Sequence, residues 1–210
     1  MDLSILVPPN DVNRQWSTGD QAGTVISTTD GSGDVVWPSG FALAKLIAHC
    51  PFLVDDKSVL ELGCGLGLPS LAALLHASPS HVALSDRDNL VLSLAYKSST
   101  QLNRGRASVS RSTLEWSDKT TWPRLDFDIL IGSDILYDKS SILSLVNVLR
   151  FYIRDGEEMP KRALIVDPIS RSNRDAFTYT ALKAGLQVEQ ESFPGIDDFV
   201  LLSVSSGGFE

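Results

Sequence analysis

Cysteine and histidine are scarce in this chain: Cys50 and Cys64 are the two thiols, and His49, His76 and His81 the three imidazoles, among 210 residues. They form no C-x-x-C or H-E-x-x-H pattern, and no carboxylate-rich loop stands in for one, so the spacings of a structural metal site are missing. Basic residues are also short, with 18 lysines and arginines against 26 aspartates and glutamates and a net charge of −8. A nucleic-acid binder carries the opposite surplus, so DNA and RNA are not expected partners, whereas a basic protein suits the charge. No apolar run approaches the roughly 20 residues that cross a bilayer, no signal-peptide pattern opens the chain, and no N-x-[ST] site occurs. These absences, with so few cysteines, predict an intracellular protein in a reducing compartment, cytoplasmic with the nucleus as a second location, and no membrane partner. The remaining composition, 43% hydrophobic and 21% charged, is that of an ordinary globular protein. The length suits one domain with a full core, read as a monomer.

The chain is organised around Ser58-Val59-Leu60-Glu61-Leu62-Gly63-Cys64-Gly65-Leu66-Gly67-Leu68. A short apolar run reads as a buried parallel strand. Three glycines at alternate positions follow it, and Pro69 opens the apolar helix behind them. A strand, a glycine turn and a helix N-terminus make a ligand cradle, because glycine lets the backbone approach a ligand with no Cβ in the way. The spacing is G-x-G-x-G, and Leu68 stands where a dinucleotide fingerprint has its third glycine. That departure favours a nucleoside without a pyrophosphate, of which S-adenosylmethionine is the common case. His81-Val82-Ala83-Leu84-Ser85-Asp86 reads as a second strand, ending in a carboxylate 23 residues past Gly63. This is about where a βαβ unit places an acid for the ribose hydroxyls. Cys64 reads as a small residue that fits the turn.

Residues 1–34 read as an N-terminal extension with one hairpin arm at 23–28 and turn chemistry at Asp30-Gly31, and residues 35–210 as the main domain. Trp37-Pro38 leads into an apolar helix over 41–48, with Trp37 either a core aromatic or a lid. Asp88 is a suitable N-cap for a helix to about Gln101. A short polar strand over 107–112 precedes Leu114-Glu115-Trp116. The apolar run from Phe127 opens into Gly132-Ser133-Asp134, and Leu143, Val146, Leu149 and Ile153 give the next helix a spacing of three or four. A fifth strand covers 162–167. Ser172 is a plausible cap for a helix that Gly185 terminates in the left-handed region. Residues 186–193 and 198–204 are then joined by so short a connector that they must pair antiparallel. Five strands alternating with helices and closed by a hairpin specify an α/β fold, a mostly parallel sheet with helices on both faces.

Four features, Val36-Trp37-Pro38, Val59 to Gly67, Leu114-Glu115-Trp116 and Ser133-Asp134-Ile135-Leu136-Tyr137, taken in this order, resemble the class I, seven-stranded, Rossmann-like S-adenosylmethionine-dependent methyltransferases. They are most similar to methyltransferase family 16, which contains many protein-lysine methyltransferases. The resemblance implies S-adenosylmethionine as cofactor and S-adenosylhomocysteine as product. It places Gly63, Cys64 and Gly65 under the methionine and ribose, Asp86 on the ribose, Trp116 near the adenine and Ser133 in the pocket wall. Trp37 covers the pocket, and Glu61 lies close to the cofactor's amino group. It implies methyl transfer to a protein side-chain nitrogen, lysine first, with arginine, histidine or small-molecule N-methylation, or a non-catalytic cofactor-binding module, as alternatives. Asp134 is then read as orienting the acceptor nitrogen, its alternative being a helix N-cap. Tyr137 is read as an aromatic wall for the acceptor, its alternative being a packed core aromatic.

Overall fold

A computed structural model describes residues 35–103, 107–154, 161–192 and 198–207. The N-terminal extension with its hairpin arm and the connector between the last two strands lie outside the described residues.

Among the described residues, seven strands form one sheet in the order β3-β2-β1-β4-β5-β7-β6. They are β1 (Ser58–Leu62), β2 (His81–Asp86), β3 (Ser108–Thr113), β4 (Ile129–Ser133), β5 (Arg162–Pro168), β6 (Leu186–Ser192) and β7 (Phe199–Ser206). The first five run parallel, and β7 is antiparallel to both β5 and β6. Among the described residues the edges are β3, none of whose residues is buried, and β6.

Strand alternation divides the core. Val59, Val82, Ile129, Ile131, Leu164 and Val166 face one side, with α1 (Pro38–His49) and α2 (Leu68–His76). Leu60, Leu62, Leu130, Ala163 and Ile165 face the other, with α4 (Ile142–Tyr152) and α5 (Arg174–Lys183). The remaining helix, α3 (Asn89–Leu102), packs on α2, β2 and β3. Apolar side chains on both faces explain why β4 and β5 read as unbroken hydrophobic runs, while in β1 the buried Glu61 interrupts the run. No described helix is long and apolar enough to cross a membrane.

The helix ends follow local chemistry. Asp88 caps α3 by accepting from the Leu90 and Val91 amides. Pro38 opens α1 a turn earlier than the apolar pattern predicts, since its ring fixes a helical φ and its missing donor costs nothing there. Gly185 follows α5 with φ +78°. Ser172 does not cap that helix: Asn173 occupies the N-cap position, without a capping side-chain bond. Its amide instead donates to the Leu136 and Tyr137 carbonyls at 2.9 and 3.0 Å.

The α4 face also differs from the sequence reading. A single 3-10 turn over Lys139–Ser141 precedes the helix, capped by Asp138, which accepts from the Ser140 amide at 2.9 Å. The buried stripe is Ile142, Leu145, Val146, Leu149 and Tyr152, while Leu143 is 63% exposed. Leu145→Ala is therefore expected to cost about 2–5 kcal/mol in urea melts, and Leu143→Ala no more than about 0.5 kcal/mol. Equal losses at the two positions would contradict this helix rotation.

Candidate active site

The strand order reverses between β1 and β4, and ligands of such sheets bind beyond the carboxyl ends of the strands at that point. A cavity of about 890 Å³ lies there, lined by Trp37, Gly63, Gly65, Asp86, Trp116, Ser133, Asp134 and Tyr137 among others. Eight residues singled out in the sequence thus converge on one space from positions up to 100 residues apart.

The glycine turn forms the floor. Gly63 has φ +60°, and a Cβ built there would stand 3.1 Å from Ile135 and 3.6 Å from the Trp116 indole. The turn is tied to the end of β2. Asp86 accepts from the Gly65 amide at 2.9 Å and from the Asp88 amide at 3.0 Å, one on each carboxylate oxygen. Two bonds leave part of the carboxylate's roughly four acceptor sites for a ligand. Burial raises its pKa above the ordinary aspartate value, and the two amide bonds pull it back.

Two residues expected at the cofactor do not line this cavity. Cys64 turns into the core beside Leu84, Leu92 and Ala95, and its amide donates to the Ser85 carbonyl at 2.9 Å. Glu61 faces α2 by strand alternation. It is buried there and accepts from the Ser70 amide at 3.1 Å and from the Ser70 hydroxyl. Burial pushes its pKa up to about 8, against the pull of those Ser70 bonds. The folded protein therefore binds more protons at this site than the unfolded chain between the ordinary value of 4.5 and about 8. Stability from this group is full below that window and is lost as pH rises through it. Glu61→Gln is expected to flatten that fall, seen as a wild-type-minus-variant melting difference that shrinks from pH 5 to pH 8. A constant difference would remove Glu61 from the account.

The opposite wall is built by the turn after β4. Asp134 has φ +57°, a region that non-glycine residues occupy sparsely and that recurs at functional sites. Its amide donates to the Val166 carbonyl at 3.0 Å. Its carboxylate does not cap a helix; Oδ1 is ion-paired with Arg171. Tyr137 is half-exposed and lines the cavity rather than the core. Trp37, 49% exposed, likewise lines the cavity. The sequence reading missed Arg171 and its second partner, the fully buried Asp167, whose Oδ1 lies 3.4 Å from Arg171 Nε. Carboxylates outnumber guanidiniums around the space: Asp86, Asp88, Glu115, Asp134 and Asp138 against Arg87 and Arg171. Such a site favours a cationic ligand.

A seven-stranded sheet in this order, with a glycine turn after β1 and an acid ending β2, is the class I methyltransferase fold. A solved structure of magnesium protoporphyrin IX methyltransferase from Synechocystis PCC 6803, with bound SAM, shares it with a TM-score of 0.60 at 12% identity, over 80% of this chain and 79% of that one. Residues 24–177 match the lysine methyltransferase family, methyltransferase family 16, and the chain belongs to that family. Human protein-lysine N-methyltransferase EEF2KMT is 29% identical over 184 residues, 80% of this chain and 55% of its own length. Protein-lysine N-methyltransferase EFM3 of Chaetomium thermophilum is 26% identical over 189 residues, 83% of this chain and 54% of its own. The chain thus spans about half the length of these relatives. The cofactor that the family implies is S-adenosylmethionine, and the residues fit it. The floor at Gly63 is a cradle that a Cβ would fill, Asp86 keeps acceptor capacity, and the acidic lining suits a sulfonium.

Proposed function

We propose that this protein transfers the methyl group of S-adenosylmethionine to a lysine side chain of a protein. The observation that carries the reading is the two-sided cavity, with a glycine floor and Asp86 on one side and Asp134 with Tyr137 on the other. The lysine-directed relatives support the choice of acceptor.

In this reading Gly63 and Gly65 let the backbone pass beneath the cofactor, Asp86 accepts from the ribose hydroxyls, and Trp116 offers a stacking face to the adenine. Ser133 and Trp37 line and cover the space. Bound, the cofactor supplies a methyl carbon on a cationic sulfur; transfer makes an N–C bond, breaks the S–C bond and leaves that electron pair on sulfur. The chain's own contribution is alignment, which lowers such barriers strongly without acid–base machinery. An acceptor lysine must first lose a proton to water, since its reference pKa is about 10.4. Asp134 orients the acceptor nitrogen. The Tyr137 ring walls the aliphatic stem and attracts a cationic nitrogen through its face.

The test is transfer of a labelled methyl group from S-adenosylmethionine into proteins of a cell lysate, with Asp134→Ala as control. A labelled protein band that is lost in the control, and carries the label on lysine by mass spectrometry, is the expected result. Label on arginine or histidine would move the acceptor to those residues. Label confined to small molecules, or none at all, would overturn the reading.

A further inference from the structure

The group that neither the glycine floor nor the methyl acceptor accounts for is Arg171. It lines the cavity, yet its side chain is only 22% exposed because two carboxylates hold it. On one side is Asp134, whose side chain is 10% exposed; on the other is Asp167, which is fully buried. Both Asp167 oxygens and Arg171 Nε lack a hydrogen bond within the usual limits. Asp167 therefore holds the guanidinium by charge at 3.4 Å rather than by a close fork. A buried carboxylate of this kind is costly unless a cation faces it, so Arg171 is kept at the cavity wall.

The pair with Arg171 uses Oδ1 of Asp134, leaving Oδ2 with lone pairs for a ligand. A bare carboxylate beside a lysine stabilises the ammonium form, which cannot accept a methyl group. Arg171 offsets this, since a guanidinium stays charged at every relevant pH and cannot take the acceptor's proton. The other charged or titratable groups lining the cavity are Asp86, Arg87, Asp88, Glu115, Tyr137 and Asp138, and Arg174 on α5 acts on Asp167. Arg174 is spent on the Pro168 and Ile169 carbonyls at 3.0 Å each.

We propose that Arg171, clamped between Asp134 and the buried Asp167, is a positioning residue that fixes the Asp134 carboxylate and holds a positive charge beside the acceptor, biasing an incoming lysine toward its neutral, methyl-accepting form. The inference rests on the lysine-methyltransferase reading above. Asp167 is the anchor in this arrangement, Arg171 the counter-charge and Asp134 the group that meets the acceptor.

The experiment measures kcat against pH at saturating S-adenosylmethionine and saturating acceptor, the protein isolated from the labelled band, because kcat follows the ionisation of the bound lysine. Arg171→Met exposes the full Asp134 charge, so the acid limb of its profile is expected to move up by about one pH unit. Below the limb this is about a tenfold loss. Arg171→Lys keeps a cation and is expected to restore most of the wild-type position. A role confined to holding the fold together would lower the whole profile without moving it. If Arg171→Met does not fold, Arg171→Met with Asp167→Asn removes the uncompensated buried charge while leaving Asp134 bare, and the same upward shift is expected. Wild-type lysine methylation with superimposable limbs in wild type and variant overturns this inference alone. No lysine methylation by the wild type overturns the functional reading, and this inference with it.

Discussion

Replacing Asp86 with alanine is expected to weaken S-adenosylmethionine binding at least about thirtyfold, measured by calorimetric titration. Hydrogen bonds to a charged group are worth about 1.5–3 kcal/mol each, and about 2 kcal/mol already corresponds to that factor. Two kinds of bond are at stake. The carboxylate accepts from the Gly65 and Asp88 amides, so its loss releases the glycine turn as well as the ribose hydroxyls of the proposed cofactor site. Asp86→Asn separates them, because the amide keeps an acceptor oxygen but gives up the charge and half the acceptor capacity. An intermediate affinity for asparagine is expected. Unchanged affinity in the alanine variant would remove Asp86 from the cofactor site.

Asp134→Asn is the second large effect: turnover is expected to fall by about a hundredfold or more, with cofactor affinity within about threefold of wild type. The asparagine variant is cleaner than alanine for two reasons. Asp134 sits at φ +57°, which asparagine tolerates and alanine does not. Alanine would also leave Arg171 with Asp167 alone, whereas the Asn carbonyl still accepts from the guanidinium. The charge is lost while the backbone and one bond remain, so a drop in kcat at constant cofactor affinity reads the acceptor side of the cavity. Full activity would place the acceptor elsewhere.

How much of this was legible in the sequence depended on the range of the interaction. Short-range signals carried well: the glycine turn, the Asp88 cap, the Gly185 terminator and the final antiparallel pair each depend on neighbours within a few positions. The rotation of α4 was harder. Val146 and Leu149 belong to the buried stripe and Ile153 is buried just past the helix end, and the pattern accommodates Leu143 or Ile142 as its first member equally well. Only packing against β4 and β5 decides between them. Ser172 looked like a cap because serine commonly is one, whereas Asn173 holds that position and is used to tie down the turn ending at Tyr137. At the site, the motifs marked residues that the strand ends bring to one cavity. Glu61 and Cys64 were placed at the cofactor by motif alone, and strand alternation and a tight turn send their side chains elsewhere. The Asp134–Arg171 pair joins residues 37 positions apart. No periodicity or spacing announces a partner at that distance.

The two borders of the sheet bear on how the chain behaves in a crowded solution. A border strand shows unpaired amides and carbonyls on which another chain can grow, and flat apolar borders seed aggregates. Among the described residues one border is β3, whose Ser108, Ser110, Arg111 and Ser112 offer hydroxyls and a guanidinium. The other is β6, where Gln187, Glu189, Gln190 and Glu191 are exposed. Two copies meeting along β6 would bring like charges together with little apolar surface to hide, which favours dispersal over fibre growth.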